Sequence, residues 1–311
     1  MPAPETKPQR RIAFMNQKGG VGKTTTTVNL AAALAQAGRR TLLIDLDPQA
    51  HATLHLGVDA ETVEHSVYDL LHDPEADPST VLKEVRPNLW VLPSQTDLAA
   101  AEAELAGVPE RNRLLDAALA KLESQKFEFV LFDCPPSLGL LTLNALTAAR
   151  EVIVPMQAHF LALQGVGKLL ETIRLVAAAT NPRLRVTGVV LCMHDSTTTH
   201  TREVVADLEA FFEQGRGQET PWKFARVLKP AVRRNIKLAE CPSFGQSIFD
   251  YAPQASGAED YKALASVLIK EWDAAVGGRK KERSEQAERP EAPEVRVVAS
   301  EPSAPVQGAG A

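Results

Sequence analysis

Residues 16–25 read NQKGGVGKTT, and this run constrains the chain more than any other part of it. Gly22-Lys23-Thr24 closes the phosphate-binding pattern G-x-x-x-x-G-K-[ST], but Gln17 stands where its first glycine belongs and a second lysine, Lys18, follows. An apolar run of strand length, Arg11–Met15, precedes the loop. Residues 24–37 behind it have helical composition, with Val28, Leu30, Ala31 and Leu34 at helical spacings and Gly38 as a C-terminal cap. Strand, glycine-rich turn and helix form the setting in which backbone N–H groups and a helix N-terminus hold phosphate oxygens. In such a loop Lys23 neutralises β- and γ-phosphate charge and the Thr24 hydroxyl ligates Mg2+. A glycine-rich turn with solvent lysines is the alternative, and the match is too specific for it.

The rest of the chain alternates in the same way. Strands are expected at 11–15, 41–46, 89–92, 129–132, 151–155, 186–191 and 226–228. Helices are expected near 24–37, 97–106, 110–123, 138–149, 162–179, 200–213 and 257–273. Near-continuous apolar strands such as FVLF suit a sheet covered on both faces. The expectation is an α/β fold, doubly wound, with a mostly parallel sheet and helices on both faces. A chain of 311 residues has room for one large core with tails. Residues 1–9 and the charged, proline-rich stretch 276–311 are expected to be disordered tails around a domain over 10–275. No apolar run reaches the roughly 18–20 residues of a membrane span, and the N-terminus lacks the apolar core of a secretory signal. Cys134, Cys192 and Cys241 are far apart with no C-x-x-C pair, which points to a reducing cytoplasm without a disulfide or zinc framework. A net charge of −5 confines any nucleic-acid surface to a local patch.

A Mg2+-nucleotide site next needs a strand ending in aspartate, and there are two such strands. Phe129–Asp133, FVLFD, has the form of a Walker B element whose carboxylate holds Mg2+ directly or through water, and Pro135-Pro136 ends the strand. Residues 42–49, LLIDLDPQ, supply a second pair, with Asp45 and Asp47 on one side of an extended segment. Asp47, beside a proline turn, is a candidate for orienting an attacking water. Ordinary strand-end turn chemistry is the other reading of either motif taken alone.

Together these residues resemble the ParA/Soj family of chromosome- and plasmid-partition ATPases, within the deviant-Walker group that also contains MinD. The resemblance spans roughly residues 10–273. It rests on KGGVGKTTT at 18–26, LIDLDPQ at 43–49, LFDCPPSLGLLTLNAL at 131–146 and RRNIKLAECPSFGQSI at 233–248. The short N-terminal extension leaves no room for the helix-turn-helix domain of the large plasmid subtype, so the chain looks like the smaller, Soj-like kind. The resemblance implies ATP and Mg2+ as cofactors and an ATP-dependent homodimer. In it Lys18 reaches across to the partner's phosphates and neutralises charge in trans. It also implies that Gly19, Gly20, Val21, Gly22, Lys23, Thr24 and Thr25 cradle the phosphates, that Asp47 positions the water, and that Thr24 and, via water, Asp133 serve Mg2+. Asn235 falls where the family contacts adenine, although Arg233 replaces the proline usually found two residues earlier.

Residues 222–237, WKFARVLKPAVRRNIK, carry six cations and no acid. Charge alone leaves two readings level, a strip that tracks a phosphate backbone and a solvated basic edge. The resemblance implies DNA binding without sequence preference through such C-terminal residues, here Arg233, Arg234 and Lys237, although Thr197 stands where the family often has an arginine. It further implies a ParB-like partner that stimulates slow hydrolysis, and a cytoplasmic, nucleoid-associated protein that segregates DNA. Rival readings are a positioner of a protein cargo and a MinD-like membrane switch. The second needs an amphipathic last helix, whereas Tyr261, Leu264, Leu268 and Trp272 are expected to pack on the core. His51 and His55 lack the glutamate and third ligand of a metal site and are expected at a loop or helix surface. Cys134 is expected to serve packing.

Overall fold

The structure, a computed structural model, describes residues 8–195 and 197–287. Eight strands form one sheet: β1 (Arg10–Phe14), β2 (Thr41–Asp45), β3 (Lys83–Arg86), β4 (Leu89–Leu92), β5 (Phe129–Asp133), β6 (Glu151–Met156), β7 (Arg185–Leu191) and β8 (Arg226–Leu228). Their order is β3-β4-β2-β5-β1-β6-β7-β8. Every neighbouring pair is parallel except β3 with β4. The expected doubly wound α/β fold is what forms. β2 and β5 are buried along their whole length, because apolar side chains on both faces meet covering helices. The strand not expected from sequence is β3, Lys-Glu-Val-Arg, whose single apolar residue gives no periodic signal. It forms an edge, where charged side chains discourage pairing with other chains.

From β1 the chain moves to β2 on one side, returns with β5 between them, and then places β6 on the other side of β1. The strand order reverses around β1, so the carboxyl ends of β1, β5 and β6 border the crevice where ligands bind in open α/β sheets. The loop 16–22 leaves β1 at that edge and leads into the helix Lys23–Gln36. Gly38, at φ +79°, closes this helix with its N–H donating to the Ala35 carbonyl at 2.9 Å.

The long stretches expected as helices at 97–106 and 110–123 are broken. The first is a 3-10 turn (Thr96–Ala100) running into Ala101–Glu104, and in the second a helix Leu114–Ala120 stands between two 3-10 turns. Glu110 and Lys126 both sit at φ 53°, a left-handed conformation that stops a helix. One compact unit extends to Trp272 and a second begins at Asp273. Tyr261, Leu264, Leu268 and Trp272 are all buried, as expected of a helix that packs on the core. That helix, Ser256–Ala287, runs beyond the expected end near 273. Residues 276–287, expected in the tail, are therefore helical, while 1–7 and 288–311 lie outside the described residues.

The opposite edge of the sheet holds a buried ion pair. Arg10 donates to both oxygens of Glu151, at 3.1 and 2.8 Å, and to the Leu268 carbonyl at 2.6 Å. Burial alone would raise the pKa of the Glu151 carboxyl, but the charge and hydrogen bonds of Arg10, with help from Thr187 and Arg185, hold it below the usual range.

Candidate functional site: a phosphate loop and its carboxylates

The loop owes its shape to two glycines with positive φ, Gly20 at +71° and Gly22 at +94°, a region other residues enter at a cost. At Gly22 there is a second constraint, since a Cβ there would come within 3.2 Å of Cys192 Cβ and Sγ, just past β7. Asn16 fastens the loop to the sheet. Its Nδ2 donates to the Pro155 carbonyl at 2.8 Å, and its Oδ1 accepts from the Lys18 N–H at 3.0 Å. Gly22 caps the following helix without a side-chain acceptor, so the first-turn N–H groups have no side-chain cap and face the loop mouth. Lys18, Gly19 and Gly20 are exposed, Val21 and Lys23 buried, and Thr24 and Thr25 half-buried. Lys23 Nζ donates back to the Lys18 carbonyl at 3.1 Å. Burial lowers the Lys23 pKa, while the charges of Asp133 and Asp47 oppose that shift.

β2 and β5 run side by side, with Asp45 in register with Asp133. Both carboxylates are fully buried. Asp133 accepts from Thr24 Oγ1 at 2.7 Å and from Thr27 Oγ1 at 2.9 Å. Burial pushes the Asp133 pKa up, and the nearby Asp45 charge adds to it; Asp45 is raised by burial as well. A carboxylate and a hydroxyl in contact make an oxygen donor set that fits Mg2+.

Asp45 and Asp47, expected to act from one side of the segment, have separate situations. Asp45 turns inward and accepts from the backbone N–H and the hydroxyl of Thr53, both at 2.8 Å, and from the Asp47 N–H at 3.1 Å. Asp47 lies beyond the strand end, half-buried, and its Oδ1 accepts from the Gln49 N–H at 3.0 Å. The sequence marked no role for Thr27 or Thr53; the placement of Thr27 one helical turn after Thr24 was the available signal, and Thr53, in a short helix beyond the 43–49 motif, offered none.

Cys134, Cys192 and Cys241 are all free and buried. Burial raises each thiol pKa, that of Cys134 furthest, so none is poised as a nucleophile. His51 is exposed as expected, but His55 is not a surface residue. It is buried with Nε2 3.4 Å from Cys241 Sγ, and burial, with the Arg86 charge, lowers its pKa to about 4. The apolar spacing of a five-residue helix was too short to show which face is covered. Among the described residues no group of three or more His, Cys, Asp or Glu is arranged to hold a metal.

Five of the six cations of 222–237 meet acids, most of them supplied from elsewhere in the fold. Lys223 pairs with Glu219, Arg226 with Glu271, Lys229 with Glu209 and Lys237 with Glu240. Arg233 is bound to Asp260 and Glu259, which raise its pKa. Arg234 is exposed, and no ion pair engages it among the described residues. Asn235 Nδ2 donates to Ser256 Oγ at 2.9 Å, and its Oδ1 accepts from the Lys237 N–H at 2.9 Å. Thr197 is turned onto Asp195, whose Oδ1 accepts from its hydroxyl at 2.6 Å. Lys18 Nζ lies 2.8 Å from His159 Nε2.

A parallel α/β sheet with a phosphate loop after its central strand and a buried aspartate on the neighbouring strand defines a P-loop nucleotide-binding protein. A family model described as an AAA domain matches residues 9–186. The chain is 44% identical over 255 residues to the sporulation initiation inhibitor protein Soj of Bacillus subtilis, covering 82% of this chain and 96% of that protein. It is 46% identical over 260 residues to the chromosome-partitioning ATPase Soj of Thermus thermophilus, covering 84% and 95%. A solved structure titled cobyrinic acid a,c-diamide synthase from Mycobacterium smegmatis, with bound ATP analogue and magnesium, superimposes with a TM-score of 0.72 at 40% identity, covering 86% of this chain and 97% of that one. The chain belongs to the ParA/Soj family of chromosome-partitioning ATPases.

Proposed function

We propose that this ATPase is a Mg2+-ATP-dependent dimerising switch that grips DNA without sequence preference and, with a ParB-like partner, moves chromosome or plasmid DNA. The observation that carries the reading is the convergence of Lys23, Thr24 and Asp133 on one loop mouth, in a chain that matches Soj proteins over nearly their whole length. The backbone N–H groups of Gly19 to Thr25 cradle the phosphates of ATP, and Lys23 neutralises them. Thr24 and, through water, Asp133 would hold Mg2+, which would supply charge neutralisation to the phosphates. Asn235 faces adenine, and Asp47 orients the water that attacks the γ-phosphate.

Lys18 acts in trans in this reading. It is exposed at the loop mouth, its backbone N–H held by Asn16 and its ammonium 2.8 Å from the His159 ring, and on leaving that ring the ammonium reaches the phosphates of a second copy. A lone protomer then lacks a full complement of cations, and hydrolysis follows dimerisation. Lys237 and Arg234 face DNA, while Arg233 acts mainly by holding Asp260. The output is the population of two states rather than the product ADP. Light scattering with Mg2+-ATP, with and without nonspecific DNA, tests it. The expected result is a doubling of mass with ATP and a further shift on DNA; a monomer under both conditions overturns it.

A further inference from the structure

A closed ring of hydrogen bonds, buried on the side away from Asp47 and half-buried beside it, engages the backbone of Asp47. Its N–H donates to Asp45 Oδ1 at 3.1 Å, and its carbonyl accepts from Ser94 Oγ at 2.7 Å. The ring is completed away from Asp47. Asp45 Oδ2 accepts from the N–H and hydroxyl of Thr53, both at 2.8 Å, and Thr53 Oγ1 accepts from the Ser94 N–H at 2.9 Å. Asp45, Thr53 and Ser94 are each fully buried. Three buried polar side chains are costly where apolar ones would pack, and a fully satisfied network of this kind specifies one geometry. The geometry it specifies centres on Asp47, whose N–H it holds alone and whose carbonyl it holds together with the Ala50 N–H at 2.8 Å.

We propose that Ser94, through Thr53 and Asp45, is a positioning residue that aims Asp47 during hydrolysis. Ser94 comes from the segment after β4, Thr53 from the helix His51–His55 and Asp45 from the end of β2, so the loop 46–50 is pinned from three elements. Asp47 Oδ1 is itself oriented by the Gln49 N–H at 3.0 Å. With the backbone held on both sides, the carboxylate moves only through χ1 and χ2, and a misplacement of 1 Å costs hydrolysis far more than it costs affinity. Ser94 does not touch nucleotide, and its effect passes through Asp47. The inference rests on Asp47 being the residue that orients the attacking water.

The test is a double-mutant cycle of Ser94→Ala and Asp47→Ala, with kcat, ATP affinity and melting temperature measured on each variant. Ser94→Ala is expected to lower kcat about ten-fold with ATP affinity within about two-fold of the parent. In the Asp47→Ala background the same change is expected to have no further effect on kcat. A ten-fold loss that persists in that background overturns the proposal, as does an unchanged kcat in Ser94→Ala alone. Normal turnover by Asp47→Ala itself is a separate failure, of the reading of Asp47. If Ser94→Ala does not fold, Thr53→Val and Thr53→Ser replace it. The first is expected to lose kcat and the second, which keeps the hydroxyl, to retain it; equal rates in both overturn the proposal.

Discussion

Asp133 illustrates how a binding residue can oppose the stability of its own fold. Its pKa is raised in the folded chain by burial and by Asp45, so between the ordinary carboxylate range and neutrality the folded state binds more protons than the unfolded state. Its contribution to stability is therefore lost as pH rises through that window. Asp133→Asn should raise the melting temperature of the nucleotide-free protein at neutral pH by about 2–4 °C, flatten the pH dependence of stability above about pH 4, and weaken Mg2+-ATP binding. Calorimetry across pH 4–8 with a nucleotide titration checks all three. Arg233 and Arg234, neighbours in sequence, have different surroundings. Arg234→Glu should reduce ATP-dependent DNA retention and lower the slope of log affinity against log salt by about one, without a change in melting temperature. Arg233→Glu should instead destabilise the fold, because it sets an acid against Asp260 and Glu259. Salt-dependent DNA retention and thermal melts of both variants separate these outcomes.

At the scale of elements, the strands bearing site residues were legible and the short connecting pieces were not. β2 and β5 announce themselves as five-residue apolar runs ending in aspartate, and both were found within a residue of their ends. β3 and the helices His51–His55 and Lys237–Glu240 have too few residues for a period to emerge, and tertiary packing decides them. The Arg10–Glu151 pair belongs to this scale, since it joins β1 to β6 and, through the Leu268 carbonyl, to the last helix. Glu151→Gln removes the buried carboxylate that Arg10 grips with two bonds and leaves the Arg10 charge to the half-buried Glu271 alone, at 3.1 Å. It should cost about 3–5 kcal/mol, read as a fall in the denaturant midpoint with an unchanged slope. The site lies at the other edge of the sheet, so ATP affinity should follow only the loss of folded protein.

For the whole molecule, the trans role of Lys18 makes a prediction that no monomeric mechanism shares. Lys18→Ala and Asp47→Ala should each be nearly inactive alone, for different reasons. Mixed in equal amounts, they form heterodimers in which the Lys18→Ala protomer keeps its own Asp47 and receives Lys18 from its partner. Turnover should then recover toward a quarter of the parent rate, about half the dimers carrying one competent site of two. A mixture no more active than the two variants apart removes Lys18 from the trans role. The sequence by itself determined the strand–loop–helix unit, the phosphate loop and the two aspartate-bearing strands, because those depend on local spacing and on glycines with positive φ, whereas the order of the strands in the sheet came from the fold. Only the tertiary structure decided which charges remain available. Residues 222–237 read as uninterrupted positive charge, yet Glu209, Glu259, Asp260 and Glu271 come to them across the fold. Asp45, a site acid by its motif, is drawn into a buried ring with Thr53 and Ser94. Charge acts through space, and the distance between two charges is set by the fold.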